Sequence, residues 1–150
     1  MITLSYYPGC SLHSSCDFYD ASLKRIMNFY GIELKELDDW SCCGASAASA
    51  VSEDLSFALS ARNIALAESS GLPLVAPCSA CYARTKAAVR KVAEDSQTRR
   101  MVNESLSPLA CRGNIEVKNI IEICLQYIGI ERIAGSVSHD LASIRGVAYY

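Results

Sequence analysis

The sequence has no surplus of positive charge and no long apolar run, and each absence removes a class of protein. It contains 14 Lys and Arg against 16 Asp and Glu, so the net charge is −2. The basic surplus that marks a nucleic-acid-binding protein is therefore missing. The start at Met1–Thr3 lacks the cationic part of a signal peptide, and no apolar stretch approaches the length of a membrane span. We therefore expect a cytoplasmic protein with no nucleic-acid partner and no membrane span.

The composition is that of a folded domain that is rich in cysteine. Apolar residues make up 51% and charged residues 20% of a chain of 150 residues, which is enough for one domain with a hydrophobic core. Eight of the residues are cysteines. Because disulfides are rare in a reducing compartment, gathered cysteines there point first to a metal site.

Short β-rich runs alternate with helical patterns along the chain. We expect strands over residues 2–7, 32–37, 72–76 and 114–118. We expect the helices between and after them to be capped by Ser14 or Ser15, Ser52, Ser79 and Asn119, with a further helix around 101–107. This alternation predicts an α/β fold, a Rossmann-like three-layer domain with a mainly parallel four-stranded sheet.

The cysteines follow the predicted strands. Cys10 comes after the first strand, the pair Cys42 and Cys43 after the second, and Cys78 after the third. Cys81 then falls in the first turn of the next helix. Since parallel strands end at the same edge of a sheet, these cysteines can meet in one crevice there.

Zinc fits this set of thiols poorly. Cys78 and Cys81 have the Cys-x-x-Cys spacing of half a structural zinc site, but a second such pair is absent. Five thiols are one more than a four-coordinate zinc ion uses. Adjacent Cys42 and Cys43 point in different directions on an extended backbone, which makes joint binding of one small ion awkward. A non-enzymatic zinc-binding module remains an alternative.

Two redox chemistries are also open. A Cys-x-x-Cys pair at a helix N-terminus can act as a redox dithiol, since that position lowers the pKa of a thiol. Such a dithiol at Cys78 and Cys81 would leave the other three cysteines without a role. An iron–sulfur cluster offers several irons, so neighbouring thiolates can bind different metal atoms. Iron–sulfur chemistry therefore explains the five cysteines best.

The cysteine pattern resembles a known family. Thirty-one residues separate Cys10 from Cys42, and thirty-four separate Cys43 from Cys78. With these gaps, the chain resembles the cysteine-rich CCG domain found in the B subunit of heterodisulfide reductase and in related proteins. The segments Tyr7–Cys10, Asp39–Ala45 and Ala76–Cys78 strengthen the resemblance. It covers nearly the whole chain.

The resemblance implies a cofactor, an activity and partners. In that family five cysteines hold a non-cubane 4Fe-4S cluster in which one thiolate bridges irons. By resemblance the ligands here are Cys10, Cys42, Cys43, Cys78 and Cys81. The implied function is electron transfer to a thiol disulfide and its reductive cleavage, an oxidoreductase activity with flavin-containing and ferredoxin-like iron–sulfur subunits as partners. An electron-transfer subunit of a lactate, glycolate or succinate oxidoreductase is the alternative, since such enzymes use similar domains.

The chain contains the motif once, whereas the family has it twice. Its last residues, Gly146–Tyr150, echo the run Leu4–Tyr7 that precedes the first cysteine. We therefore expect a CCG domain over residues 1–135, and over 136–150 a linker and the first strand of a truncated second copy. One motif can hold one cluster, but it cannot bind a disulfide between two clusters.

Several further residues are candidates with less specific patterns. His13 could donate a hydrogen bond to a cluster sulfur or a proton to a leaving thiolate, and Trp40 could shield the cluster. Simple surface or packing roles are the alternatives for both. Three cysteines lie outside the motif: Cys16, Cys111 and Cys124. Of these we expect Cys124 and Cys16 to pack in the core.

Three basic side chains could bind an anionic substrate. They are Arg62, Arg84 and Lys86. The alternative is that they belong to solvated helix faces, which usually carry such residues.

Overall fold

The computed structural model describes residues 1–140 and 142–147. Within them, four short strands form one sheet: β1 (Ile2–Tyr6), β2 (Ile32–Glu36), β3 (Leu74–Val75) and β4 (Val117–Lys118). The α-helices of these residues are α1 (Asp17–Phe29), α2 (Ala47–Val51), α3 (Glu53–Ser70), α4 (Ser79–Glu94), α5 (Ser96–Leu106), α6 (Ile120–Ile123) and α7 (Ile130–Gly135). A π-helical turn, Cys124–Ile128, continues α6.

All strand pairs in the sheet are parallel. The strand order is β2-β1-β3-β4, with β1 paired to β2 on one side and to β3 on the other. This confirms the predicted α/β fold with a four-stranded parallel sheet. The chain leaves β1 for the strand on one side and later returns to the other side. The crevice at the carboxyl ends of β1 and β3 is therefore the switch point where open α/β sheets bind ligands.

Helices cover both faces of the sheet. Successive side chains along the first strand point to opposite faces, so apolar residues on both faces need to be buried. Leu4 and Tyr6 pack with Leu23 and Met27 of α1 on one face. On the other face, Tyr7 packs with residues of β3 and with two of the cysteines. A third apolar cluster lies between α3, α4 and α5. The result is the three-layer arrangement that the alternating sequence predicts.

The third and fourth strands are shorter than predicted. Pro73 and Pro77 flank β3 and lack the N–H group that a ladder needs. The pairing nevertheless runs past both ends of β3. Ser5 N–H donates to Pro73 O at 3.0 Å before the strand, and Ala76 N–H donates to Lys118 O at 2.9 Å after it. The backbone is thus held in register up to the residues just before Cys78.

Two predicted helix caps are confirmed. Ser52 Oγ accepts a hydrogen bond from Leu55 N–H at 3.3 Å at the start of α3. Asn119 caps α6 in a reciprocal box with Glu122, whose carboxylate accepts from Asn119 N–H at 2.8 Å. Both helices therefore begin where the sequence predicts.

Two other cap predictions are wrong. Ser14 Oγ donates to Cys10 O at 2.9 Å instead of capping α1, and the residue before that helix is Cys16. Ser79 is itself the first residue of α4, and Cys78 occupies the cap position without a side-chain bond. In both places a cysteine takes the position that was predicted for a serine. The helices α2 and α7 were not predicted either.

In the described part of the chain, no helix has both the length and the apolar character that a membrane crossing requires. The predicted first strand of a second copy, at Gly146–Tyr150, lies partly outside the described residues.

Candidate metal centre

The structure places the five motif cysteines at one edge of the sheet, with different exposure. Cys10 and Cys42 are exposed, Cys43 and Cys81 are buried, and Cys78 is half-buried. The site therefore has an open side and a closed side.

The thiols meet in pairs. Cys10 Sγ lies 3.9 Å from Cys42 Sγ on the exposed side. On the buried side, Cys81 Sγ lies 3.4 Å from Cys43 Sγ, and the Cys78 side chain packs beside this pair. Among the described residues, no three His, Cys, Asp or Glu side chains are grouped so that they could hold one metal ion. The arrangement is thus a string of thiols along the carboxyl edge of the sheet.

The turn before Cys10 approaches the buried thiols closely. Gly9 has a φ of +75°, a conformation that side chains rarely adopt. A Cβ atom on Gly9 would lie 2.8 Å from Cys81 Sγ. Glycine is therefore required here both by the backbone and by the space that the Cys81 sulfur occupies.

The loop Asp39–Ala45, which carries the adjacent cysteines, lies directly on α3. Gly44 has a φ of +75°, and a Cβ atom there would lie 2.9 Å from the Ser56 Cα. We call this segment the CCG loop. Its backbone reaches α3 so closely only because Gly44 has no side chain.

A row of polar side chains on α3 binds the backbone of the CCG loop. Ser56 Oγ donates to Gly44 O at 3.0 Å, and Ser60 Oγ donates to Cys43 O at 3.1 Å. One turn further along, Asn63 Oδ1 accepts from Ser41 N–H at 2.9 Å while its Nδ2 donates to Ser41 O at 2.7 Å. All three α3 side chains are buried. They satisfy loop groups that would otherwise be buried without partners.

Two further contacts hold the start of the loop. The Arg62 guanidinium donates to the backbone carbonyl and the carboxylate of Asp39, whose φ of +56° is unusual for a residue with a side chain. The Tyr7 hydroxyl donates to Ser41 O at 2.8 Å. Tyr7, directly after β1, and Arg62 on α3 thus both bind the loop backbone.

The buried thiol pair is electrically asymmetric. The hydrogen bond from Cys81 is the main cause that lowers the pKa of Cys43 to about 6, against the opposing effect of burial. The Ala45 N–H and the charge of Arg84 act in the same direction. The same bond, together with burial, raises the pKa of Cys81. The site therefore favours a thiolate at Cys43 and a neutral thiol at Cys81.

The pKa values of Cys42 in the exposed pair and of the nearby Tyr7 are raised by different causes. The Gly44 N–H hydrogen bond lowers the pKa of Cys42, but burial and the neighbouring Cys10 thiol outweigh it, so that the net pKa is raised. Burial first, and the charges of Cys81 and Cys43 second, raise the pKa of Tyr7. Tyr7 thus remains a neutral hydrogen-bond donor.

His13 and Trp40 share a partner. His13 Nε2 lies 2.9 Å from Glu36 Oε1, and Trp40 Nε1 donates to the same oxygen at 3.0 Å. The two rings meet edge to face at 5.0 Å, and Trp40 packs in the same way on Tyr7 at 5.5 Å. His13 is exposed. His13 thus packs against the CCG loop through Trp40, and both side chains bind Glu36.

The three remaining cysteines have separate surroundings. Cys16 is half-buried at the start of α1. Cys111 is fully buried, and its backbone is bound by the side-chain amide of Asn103. Cys124 is half-buried and packs beside the core under α1, where burial raises its pKa. Its packing agrees with the expected core role.

The three basic residues that could bind an anion all have partners within the chain. Arg62 binds Asp39. Arg84 Nη1 donates to Ser56 Oγ at 2.6 Å. Lys86 donates to the Tyr82 hydroxyl at 2.5 Å and lies 3.3 Å from a Glu122 carboxylate oxygen.

Sequence reasoning missed the polar row on α3. Ser56, Ser60 and Asn63 have the spacing i, i+4 and i+7, which puts them on one helical face. That spacing was the signal that could have found them. Small polar residues on a helix usually face solvent, however, and only the packed loop shows that these are buried.

Comparison with known proteins agrees with the geometry. The model of the CCG cysteine-rich domain matches residues 4–86, which include all five motif cysteines. Across 151 positions the chain is 30% identical to the 8-methylmenaquinol:fumarate reductase membrane anchor subunit of Wolinella succinogenes, an alignment that covers 97% of this chain and 51% of that protein. It is 26% identical over 147 positions to an Archaeoglobus profundus protein named as similar to the B subunit of heterodisulfide reductase, with 96% and 49% covered.

The chain therefore spans about half the length of these curated relatives. Both of them are named as reductase subunits or as similar to one. Since the family model covers more than half of the chain and all five motif cysteines, the chain belongs to the CCG family of cysteine-rich domains.

Proposed function

We propose that this protein is an iron–sulfur subunit of a heterodisulfide-reductase-like complex. One observation supports the proposal: the five thiols follow three strand ends at one edge of the sheet, and two pairs of them have sulfur–sulfur distances of 3.4 and 3.9 Å. The proposed ligands of a non-cubane 4Fe-4S cluster are Cys10, Cys42, Cys43, Cys78 and Cys81. We propose that the domain that holds it spans residues 1–135.

The chemistry of the thiols supports this cofactor. A string of sulfur atoms suits a group with several irons, because each thiolate can bind its own iron or bridge two. The adjacent Cys42 and Cys43, awkward for one small ion, then become separate ligands. Backbone N–H groups of Gly44 and Ala45 act on these two sulfurs and favour their ionised form. Such N–H groups also offset the negative charge of a thiolate-bound cluster.

The protein residues hold and orient the group. When bound, the cluster would supply electrons one at a time to a disulfide, which takes up two electrons and two protons and leaves as two thiols. The α3 side chains Ser56, Ser60 and Asn63 fix the CCG loop so that its two cysteines keep their directions. Cys10 and Cys42 form the exposed side, from which a disulfide would approach.

A second function is favoured by one observation. The Wolinella succinogenes relative, at 30% identity, is named as a subunit of a reductase that acts on fumarate. An electron-transfer subunit of such an oxidoreductase would need the same cluster but no disulfide site. In either case the proposed partners are a flavin-containing subunit and a ferredoxin-like iron–sulfur subunit.

The cluster is tested with variants of the whole chain that has been reconstituted anaerobically with iron and sulfide. Replacing a bridging or terminal thiolate alters the electronic structure of a cluster, so Cys43→Ala should change the EPR spectrum of the protein. Cys111→Ala is the control, because Cys111 is equally buried but lies in a different apolar cluster. An unchanged spectrum in Cys43→Ala would count against five-thiol ligation.

The activity is tested in a protein that carries two copies of the motif. Reduction of a thiol disulfide by that protein, lost when the residue equivalent to Cys43 is replaced, supports the reductase. Cluster reduction and reoxidation by partner subunits without any disulfide turnover would favour the electron-transfer subunit.

A further inference from the structure

Arg84 connects the two segments that carry the buried thiols. It lies on α4, three residues after Cys81, so both side chains emerge from the same side of that helix. Its Nη1 donates to Ser56 Oγ at 2.6 Å. Ser56 is fully buried on α3, and its hydroxyl in turn donates to Gly44 O at 3.0 Å. A single chain of hydrogen bonds thus runs from α4 through α3 to the CCG loop.

The Ser56 hydroxyl accepts one hydrogen bond in this chain and donates another. A hydroxyl can do both at once, whereas an alanine could do neither. The contact therefore fixes the guanidinium in place near the loop. Half-burial of the Arg84 side chain further limits its motion.

The positive charge of Arg84 is not paired with a carboxylate in the described part of the chain. Glu53 and Asp54 line a cleft together with Arg84, but neither forms an ion pair with it in the described part of the chain. The serine that binds the guanidinium also binds the carbonyl of Gly44, the residue directly after Cys43. The positive charge is therefore held next to the segment that carries the buried thiol Cys43.

We propose that Arg84 is a positioning residue that fixes the CCG loop against α4 and supplies a permanent positive charge that makes the bound cluster easier to reduce. This rests on the proposed iron–sulfur function. Reduction adds an electron to a group that already carries the negative charge of its thiolates and sulfides. A fixed cation nearby stabilises the reduced form more than the oxidised form, and so raises the reduction potential.

The test is a redox titration of the whole chain, reconstituted anaerobically with iron and sulfide and followed by EPR. The variants are Arg84→Gln, which removes the charge, and Arg84→Lys, which keeps it. Arg90→Gln is the matched control, since Arg90 lies on the same helix but is 80% exposed and pairs with Glu94. Iron and sulfide are measured in every sample.

We expect Arg84→Gln to lower the reduced-to-oxidised ratio at a fixed potential about three- to tenfold, which is about 30 to 60 mV for one electron. Arg84→Lys and the control Arg90→Gln should both keep a reduction potential close to that of the unchanged protein. If Arg84→Gln takes up no cluster, Arg84→Lys decides: a full cluster with an unshifted potential supports the role of the charge.

Three results would overturn the proposal. The first is a fully loaded Arg84→Gln protein with an unshifted potential, and the second is an equal shift in Arg90→Gln. The third is an Arg84→Lys protein as defective as Arg84→Gln, because the charge would then not be the property that matters. A chain that takes up neither iron nor sulfide before any substitution contradicts the proposed function itself, and this proposal with it.

Discussion

Asn63 holds the backbone of Ser41 as a neighbouring β-strand would. Its Oδ1 accepts from Ser41 N–H at 2.9 Å, and its Nδ2 donates to Ser41 O at 2.7 Å. Asn63 is completely buried. One side chain on α3 therefore sets the path of the chain immediately before the adjacent cysteines.

Replacing this amide should damage both the fold and the metal centre. Asn63→Ala removes both bonds and leaves the half-buried Ser41 N–H without this partner, which we expect to lower the free energy of unfolding by about 2–4 kcal/mol. Iron bound after reconstitution should fall as well, because Cys42 and Cys43 lose their support. Urea unfolding and iron analysis measure the two effects.

The chain contains a matched control for this experiment. Asn103 binds the backbone of Cys111 in the same two-bond manner, at 2.8 and 3.1 Å, away from the CCG loop. Asn103→Ala should be destabilised to a similar extent but should keep its iron. Equal loss of iron in both variants would mean that stability alone, and not the loop, controls uptake.

The close approach of Gly9 to Cys81 gives a second prediction. Gly9→Ala introduces a Cβ atom that would lie 2.8 Å from Cys81 Sγ, so the thiol must move. Gly31→Ala has nearly the same backbone conformation, a φ of +79°, but meets nothing within 4 Å. Both variants should lose about 1–2 kcal/mol of stability from the left-handed backbone.

Only the first of these glycine variants should lose bound iron, because only it displaces a thiol. Iron analysis after reconstitution, alongside urea unfolding, separates the two effects. Full iron content in Gly9→Ala would show that the position of Cys81 is not critical.

The exposure of the cysteines predicts the order in which an alkylating reagent labels them in the iron-free protein. Cys10 and Cys42 are exposed and should be modified first. Cys111 is fully buried, and burial also raises its pKa to about 11, so little of the reactive thiolate is present at pH ~8. Peptide mass spectrometry after timed labelling measures the order. Labelling of Cys111 at the rate of Cys10 would contradict the structure.

The raised pKa of Cys111 also predicts a dependence of stability on pH. The folded protein holds this proton more tightly than the unfolded chain, so the contribution is present below the ordinary thiol pKa and is lost as the pH rises toward 11. From about pH 8 to about pH 10 the unchanged protein should lose about 1–2 kcal/mol more stability than Cys111→Ala. Urea unfolding at the two pH values tests this, and parallel curves for the two proteins would refute it.

The sequence predicts the framework of the site well, because that framework depends on periodicity. Cys10, Cys43 and Cys78 each follow a short β-rich run, and parallel pairing brings such positions to one edge. The gaps between the cysteines are part of the family pattern. The β-rich runs and the cysteine gaps are both visible in the sequence alone, and the fold that they predict is confirmed.

The α3 side chains that hold the CCG loop could not be predicted in the same way. Ser56 and Asn63 are polar residues on a helix, for which a solvent-facing position is the usual expectation. They are buried because the CCG loop packs on them, and that contact joins residues that are distant in sequence. The predicted caps at Ser14 and Ser79 were wrong for a related reason. In each case the turn that carries a cysteine, and not the helix alone, decides where the helix begins.

The central claim is that the five thiols hold an iron–sulfur cluster, and metal analysis tests it most directly. The whole chain is purified without oxygen, and its iron, zinc and acid-labile sulfide are measured with the protein concentration. We expect about four irons and about four sulfides per chain, with little zinc. About one zinc per chain without sulfide would contradict the claim.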